Sequence, residues 1–199
     1  MQPCDELRGA GGQRLVFVPA VVTACLALNL GLSLLNTAWN LPFFLDSIGT
    51  AIAAVSLGLL PGLFVAVATN GLFELVYRAS LTHLPFAVCG VATVLIVRAF
   101  VARGAFASVG QVLVASLAVA MANAILGGII AAFLFGGVTG VGVDYLVTGL
   151  VASGQSLLSA SFWARVPANI IDKTFAVFAA FFAREPLQRL ASHLARPAH

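Results

Sequence analysis

Six apolar runs, most of them close to the length of a membrane-crossing helix, divide the chain at short polar or glycine-containing breaks. They fall at about 15–36, 43–60, 62–79, 84–103, 107–135 and 163–184; about 20 helical residues cross a hydrocarbon core. Pro61-Gly62 predicts a tight hairpin between the second and third, since proline is tolerated at a helix start. Arg103-Gly104 separates the fourth from the fifth. The segment 136–162 breaks the pattern, opening Gly136-Gly137-Val138-Thr139-Gly140-Val141-Gly142. Beyond it, Leu146, Val147, Leu150, Val151, Leu157 and Leu158 share one side of a helical wheel, with Thr148, Ser153, Gln155, Ser156 and Ser159 largely on the other. This reads as an amphipathic helix lying on the bundle rather than a seventh span.

Composition sharpens the class. With 61% hydrophobic and 9% charged residues, the chain is an integral membrane protein and not a soluble domain. The first run is too long for a signal-peptide core and reads as a retained span. Arg8, Arg14, Arg98, Arg103, Arg184, Arg189 and Arg196 fall on one side of the expected topology, against Arg78 and Arg165 near the other. The positive-inside rule makes the richer side cytoplasmic. The expected fold is therefore all-α, with six transmembrane helices, both termini cytoplasmic and an extracellular amphipathic cap helix between helices five and six. The organisation is a cytoplasmic tail over 1–14, a membrane domain over 15–184 and a cytoplasmic tail over 185–199.

The net charge of +3 comes from arginines near span ends, and no basic run interleaved with aromatics points to nucleic acid. Cys4, Cys25 and Cys89 lack paired or metal-ligand spacing, and His83, His193 and His199 are scattered, so neither metal nor cofactor is expected.

The polar exceptions carry the chemistry. A charge at the bilayer centre costs roughly 2.5–3.5 kcal/mol on insertion scales and calls for a partner or a task. In the last run Arg165, Asn169, Asp172 and Lys173 fall on one helical face. Asp172 is the stronger candidate for ligand contact, and Lys173 is expected to neutralise Glu74 or Asp46. The first run has two faces: small residues Ala20, Ala24, Ala27 and Gly31 on one, Asn29, Ser33, Asn36 and Asn40 on the other. Such a stripe lets another helix approach closely, whether a neighbouring span or a separate protein.

Asn70, Glu74 and Arg78 recur at four-residue steps, reading equally as an interfacial ion pair or as a site. Asp46 reads as a helix cap or a site group, Asn123 as a packing contact or a site group, and Trp39 as an interfacial anchor or a site group. Mapped onto the six spans, these positions lie in the middle or outer halves, whereas a channel needs polar lining at all depths. The expectation is a pocket that opens outward above an apolar floor. Its substrate-binding candidates are Asn36, Trp39, Asn40, Asp46, Asn70, Glu74, Asn123, Gln155, Asn169, Asp172 and Lys173. Asp46, Glu74 and Asp172 against Arg78, Arg165 and Lys173 leave it nearly charge-balanced, which favours an amphoteric or uncharged polar ligand. No Ser-His-Asp arrangement or Walker-type loop is present, so no catalytic residue is assigned and the chain is not read as an enzyme. A membrane sensor domain and a small membrane enzyme are the alternatives. The short tail past Pro186 argues against the sensor reading.

Three segments resemble one family. Phe44-Leu45-Asp46-Ser47-Ile48-Gly49-Thr50, with Gly58-Leu59-Leu60-Pro61-Gly62 and Ala68-Thr69-Asn70 after it, is similar to the substrate-binding S components of energy-coupling factor (ECF) vitamin transporters. So is Ala124-Ile125-Leu126-Gly127-Gly128 leading into Gly136-Gly137-Val138-Thr139-Gly140. Pro167-Ala168-Asn169-Ile170-Ile171-Asp172-Lys173 looks like the Asn-x-x-Asp-Lys opening of that family's sixth helix. The resemblance implies a multi-pass binder in the bacterial cell membrane that captures a vitamin-like small molecule from outside. Its implied partners are an ECF transmembrane coupling subunit and two cytoplasmic ATPases, which would hydrolyse the ATP. It also implies that Ala20 and Ala24, matching the family's alanine-x-x-x-alanine motif, contact the coupling subunit. Release would follow toppling of the whole binder in the membrane.

Overall fold

Long apolar runs rich in Ala, Leu and Val can satisfy their own backbone N–H and C=O groups in lipid only by coiling. The computed structural model describes residues 3–77 and 83–194 and is all-helical over them, with no strand among these residues. Its helices are α1 (Pro3–Trp39), α2 (Ile48–Ser56), α3 (Leu59–Tyr77), α4 (Ala87–Ala102), α5 (Val109–Phe135), α6 (Asp144–Ala152) and α7 (Leu157–Leu194), with a 3-10 turn at Leu84–Phe86. Five helices, all but α2 and α6, are long and apolar enough to cross a membrane. Arg78 and Arg196, expected near opposite membrane faces, lie outside the described residues.

The second expected span is different. In place of a helix over 43–60, residues 41–47 are irregular and α2 has nine residues, about 13 Å of helix at 1.5 Å per residue. Together they run antiparallel beside α1: Asn36 meets Phe43, and Asn29 meets Thr50. The run is apolar because it is enclosed: Ile48, Gly49, Thr50, Ala51, Ala53 and Ala54 are all buried. Irregular backbone is tolerated inside a membrane protein only where neighbours satisfy it. Here the Asn36 amide donates to the Phe43 carbonyl at 3.0 Å and the Leu45 N–H donates to Asp172 Oδ1 at 2.9 Å. Gly49 is required for this fit, since a Cβ there would collide with the Cys25 carbonyl.

The expected cap helix is also shorter, and the last helix longer. α6 ends at Ala152, and a turn at 153–156 leads into α7, which already contains Leu157, Leu158 and Ser159. α6 packs on the first half of α7 through Val143, Val147, Ala160, Ala164 and Ala168. α7 is the central element, packed mainly against α5 and α2. Gly128 lets α5 approach the α7 backbone, where an added Cβ would sit 3.1 Å from Phe162 Cα.

The two faces of α1 separate as the sequence suggests. Asn29, Ser33 and Asn36 are buried, while Ala20, Ala24, Ala27 and Gly31 are exposed. The stripe of small residues is therefore not used for packing within the described chain. At one end of the bundle an apolar layer of Ala54, Ala66, Val94, Val97, Val112, Val119 and Val177 is completely or almost completely buried. Arginines fasten that end: Arg98 donates to the Ala54 carbonyl at 3.3 Å, and Arg184 donates to the Phe106 carbonyl.

Candidate binding site

At the other end, α1, α3, α4, α5 and α7 surround a cavity. Its lining includes Ser33, Asn36 and Thr37 from α1, Phe44 and Asp46 from the irregular segment, and Thr69, Asn70 and Phe73 from α3. His83, Phe86 and Cys89 line it at the start of α4, Asn123 and Gly127 on α5, and Arg165, Asn169 and Lys173 on α7. Thr139 and Val141, from the glycine-rich loop after α5, complete it. The void measures about 780 Å³ including its mouth, of which about 80 Å³ admits the centre of a water molecule.

Four asparagines line this space in a common way. Asn70, Asn123 and Asn169 each donate an amide N–H to the carbonyl one turn earlier, at Ala66 (3.1 Å), Val119 (3.0 Å) and Arg165 (2.9 Å). Asn36 donates to Phe43. A carbonyl can only accept, so these contacts fix which end of each amide is the donor. The bonds pin the side chains and leave the carboxamide oxygens as the uncommitted function. Asn36 Oδ1 is fully buried without a partner. Below them Asn29, which sequence analysis placed on this face, ties three elements together. It donates to Thr50 Oγ1 and Thr69 Oγ1, both at 3.0 Å, and accepts the Gly49 N–H at 2.7 Å.

Two buried cations on α7 sit in opposite surroundings. Lys173 is 3% exposed; its ammonium donates to Ser47 Oγ at 2.8 Å and Asp46 Oδ1 at 3.0 Å and pairs with Asp172 Oδ2 at 2.6 Å. Two carboxylates thus share one cation. Arg165 is 1% exposed and lies 3.9 Å from Asp144 Oδ1. Asp144 is committed elsewhere: its Oδ2 accepts the N–H groups of Thr139, Gly140 and Val141, and its Oδ1 accepts the Thr139 hydroxyl. The guanidinium donates to the Ser161 carbonyl at 3.2 Å and Thr139 Oγ1 at 3.3 Å, while its Nε has no partner.

Of the sequence candidates, Asn36, Asp46, Asn70, Asn123, Asn169 and Lys173 line the cavity. The other five do not. Trp39 is exposed; Asn40 is exposed and bonds to Tyr145; Gln155 lies in the turn before α7 and accepts from Ser159. Glu74 is buried behind the lining, accepting the backbone N–H groups of His83 and Leu84. Asp172 fastens Leu45 and Lys173 instead of facing the cavity. Lys173, expected to be the neutralising partner of Glu74 or Asp46, pairs with Asp46 and Asp172 and is itself a lining group. Nor does Asp46 cap a helix, since α2 begins at Ile48 with Ser47 at its cap position.

Sequence reasoning passed over His83, which stacks edge-on against Phe73 at 4.5 Å, and it set Arg165 near a helix end. The signal for Arg165 was its four-residue step to Asn169. The described residues hold no cluster of His, Cys, Asp and Glu suited to a metal ion. Compared with known proteins, the chain matches no protein-family model, no curated protein and no solved structure.

Proposed function

We propose that this chain is the substrate-binding S component of an ECF-type transporter, taking up a vitamin or related micronutrient through the cavity on α7. In this reading it lies in a bacterial cell membrane and crosses six times, the second time through 41–47 and α2. Both termini are cytoplasmic, and α6 is an extracellular cap.

The observation that carries the reading is the one-sidedness of the interior. Polar side chains line the cavity, whereas the layer beneath it, including Val94, Val97, Val112, Val119 and Val177, is apolar and completely buried. A solute held above that layer has no path through the chain, so delivery requires a partner that moves the binder. The exposed stripe Ala20, Ala24, Ala27 and Gly31 offers a surface for a coupling subunit to approach closely. ATP hydrolysis belongs to two cytoplasmic ATPases, and the chain itself is a binder and not an enzyme.

The test is coexpression of the full chain with the host's coupling subunits, followed by gentle purification and mass spectrometry of released small molecules. Copurification of the ATPase module together with a micronutrient is the expected result. A chain that purifies alone and releases nothing, and binds nothing across a vitamin panel, would overturn the reading.

A further inference from the structure

The charge arrangement around the cavity narrows the ligand class of the site proposed above, and it rests on that site being the binding site. Lys173 is over-neutralised, facing Asp46 at 3.0 Å and Asp172 at 2.6 Å. Of these carboxylates Asp46 alone lines the cavity, and its side chain is 36% exposed. Arg165 is the reverse case, a buried guanidinium whose nearest carboxylate is already engaged by three backbone N–H groups and a hydroxyl. Its Nε is buried without a partner and lies against Gly127, 3.9 Å from where a Cβ on that lining residue would be. A buried donor left unmade is costly, and one that belongs to a guanidinium favours an anionic acceptor.

Between these poles the wall is rich in acceptors. The carboxamides of Asn36, Asn70, Asn123 and Asn169 spend their N–H groups on backbone carbonyls and leave their oxygens uncommitted. Arg165 and Lys173 are eight residues apart on α7, about 12 Å along the helix at 1.5 Å per residue. Phe44, Phe73 and Phe86 contribute apolar surface to the same space.

We propose that the cavity takes a small amphoteric molecule, with a carboxylate against Arg165 and a cationic, N–H-rich group against Asp46 and the asparagine oxygens. A polyanion would meet Asp46, and a plain cation would leave Arg165 unpaired. The ligand therefore carries both charges, separated by a flat or aliphatic body that fits beside the phenylalanines.

The test is titration calorimetry on the full-length chain in detergent micelles with four probes built on one benzene ring. 4-Amidinobenzoate carries both charges, benzamidine the cation, benzoate the anion and benzamide neither. The expected order places 4-amidinobenzoate first, at least about tenfold tighter than either singly charged probe, as one added charge-assisted hydrogen bond implies. Benzamide is the weakest. Arg165→Gln removes the advantage of 4-amidinobenzoate over benzamidine, and Asp46→Asn removes its advantage over benzoate. Equal binding of benzamide and 4-amidinobenzoate overturns the proposal. So does an advantage that survives Arg165→Gln, or silence of all four probes up to their solubility. If the Arg165 variant does not fold, the order on the wild-type chain decides by itself. Copurification with the coupling subunits is scored separately. The expected order in a chain that recruits none leaves this charge reading standing while the transport reading falls; the opposite outcome removes only the charge reading.

Discussion

Asp172 Oδ1 accepts the backbone N–H of Leu45 at 2.9 Å, and Leu45 sits at φ 54°, in the left-handed region that a leucine rarely adopts. The last helix thus holds the irregular segment before α2 in a conformation that segment would not choose alone. The same carboxylate pairs with Lys173, so one side chain serves both backbone shape and buried charge.

Replacing Asp172 with alanine therefore acts on folding. It leaves the Leu45 N–H without its acceptor and takes one of two carboxylates from Lys173. Removing one member of a buried ion pair costs about 3–5 kcal/mol, and the loss is read as a lowered unfolding midpoint in detergent. Lys173→Met is expected to cost a similar amount, since it strands Asp172. The double variant Asp172→Ala with Lys173→Met is expected to lose less than the sum of the two single losses. Additive losses in the double variant would show that the two side chains do not act as a pair.

Asn29 makes three hydrogen bonds that join α1 to α2 and α3. Interhelical bonds in membrane proteins average roughly 0.6 kcal/mol, so Asn29→Ala is expected to destabilise by about 2 kcal/mol. Asn29 does not line the cavity, so affinity for any bound solute at a temperature where the variant stays folded should hold. A large loss of affinity with unchanged stability would assign it a direct role in the site.

The small-residue stripe on α1 allows a cleaner separation. Ala24 is exposed, so Ala24→Leu leaves stability and cavity binding unchanged. If the stripe docks on a coupling subunit as proposed, the same substitution abolishes copurification, because leucine holds the approaching helix away. Retained copurification would move the docking surface elsewhere on the chain.

His83 gives a pH signature. Burial lowers its imidazole below the ordinary 6.5, outweighing the opposing effect of the Glu74 and Asp46 carboxylates. The unfolded chain therefore binds a proton at pH values where the folded chain does not. Stability is fully present above about pH 6.5 and falls as the pH drops toward the lowered folded value. The unfolding midpoint is expected to be lower at about pH 5.5 than at about pH 7.5. His83→Gln should reduce that difference, and an undiminished difference would place its origin in other groups.

Much of the helical framework was legible because long apolar runs announce themselves. The polar face of α1 was also legible, since Asn29, Ser33 and Asn36 share helical spacing and all become buried. The second run misled for a physical reason. Hydropathy reports burial and not length of helix, and α2 with its irregular lead-in is enclosed by α1, α3 and α7. A similar effect kept Arg165 from being chosen as a binding candidate, although its charge was counted with the pocket. With the last helix expected from about 163, an arginine at 165 looks like a terminal residue; with α7 starting at Leu157, it lies two turns inside. The pairing of Lys173 with Asp46 was legible, but the role of Asp172 and the bond of Lys173 to Ser47 were not, because they depend on Leu45 and Ser47 arriving from over a hundred residues away.

α7 carries a further consequence. Arg165, Asn169 and Lys173 at the cavity and Arg184 at the opposite end belong to one unbroken helix of 38 residues, about 57 Å long and nearly twice the hydrocarbon thickness. No loop intervenes between them, although Pro167, between Arg165 and Asn169, removes one backbone hydrogen bond from the helix. The helix thus carries cavity-lining groups in its first half and an arginine-fastened contact toward its other end. If the cavity binds a solute as proposed, a bond to Arg165 or Lys173 is made on the same helix that Arg184 ties to the turn before α5, so the two ends of the bundle are joined through a single element.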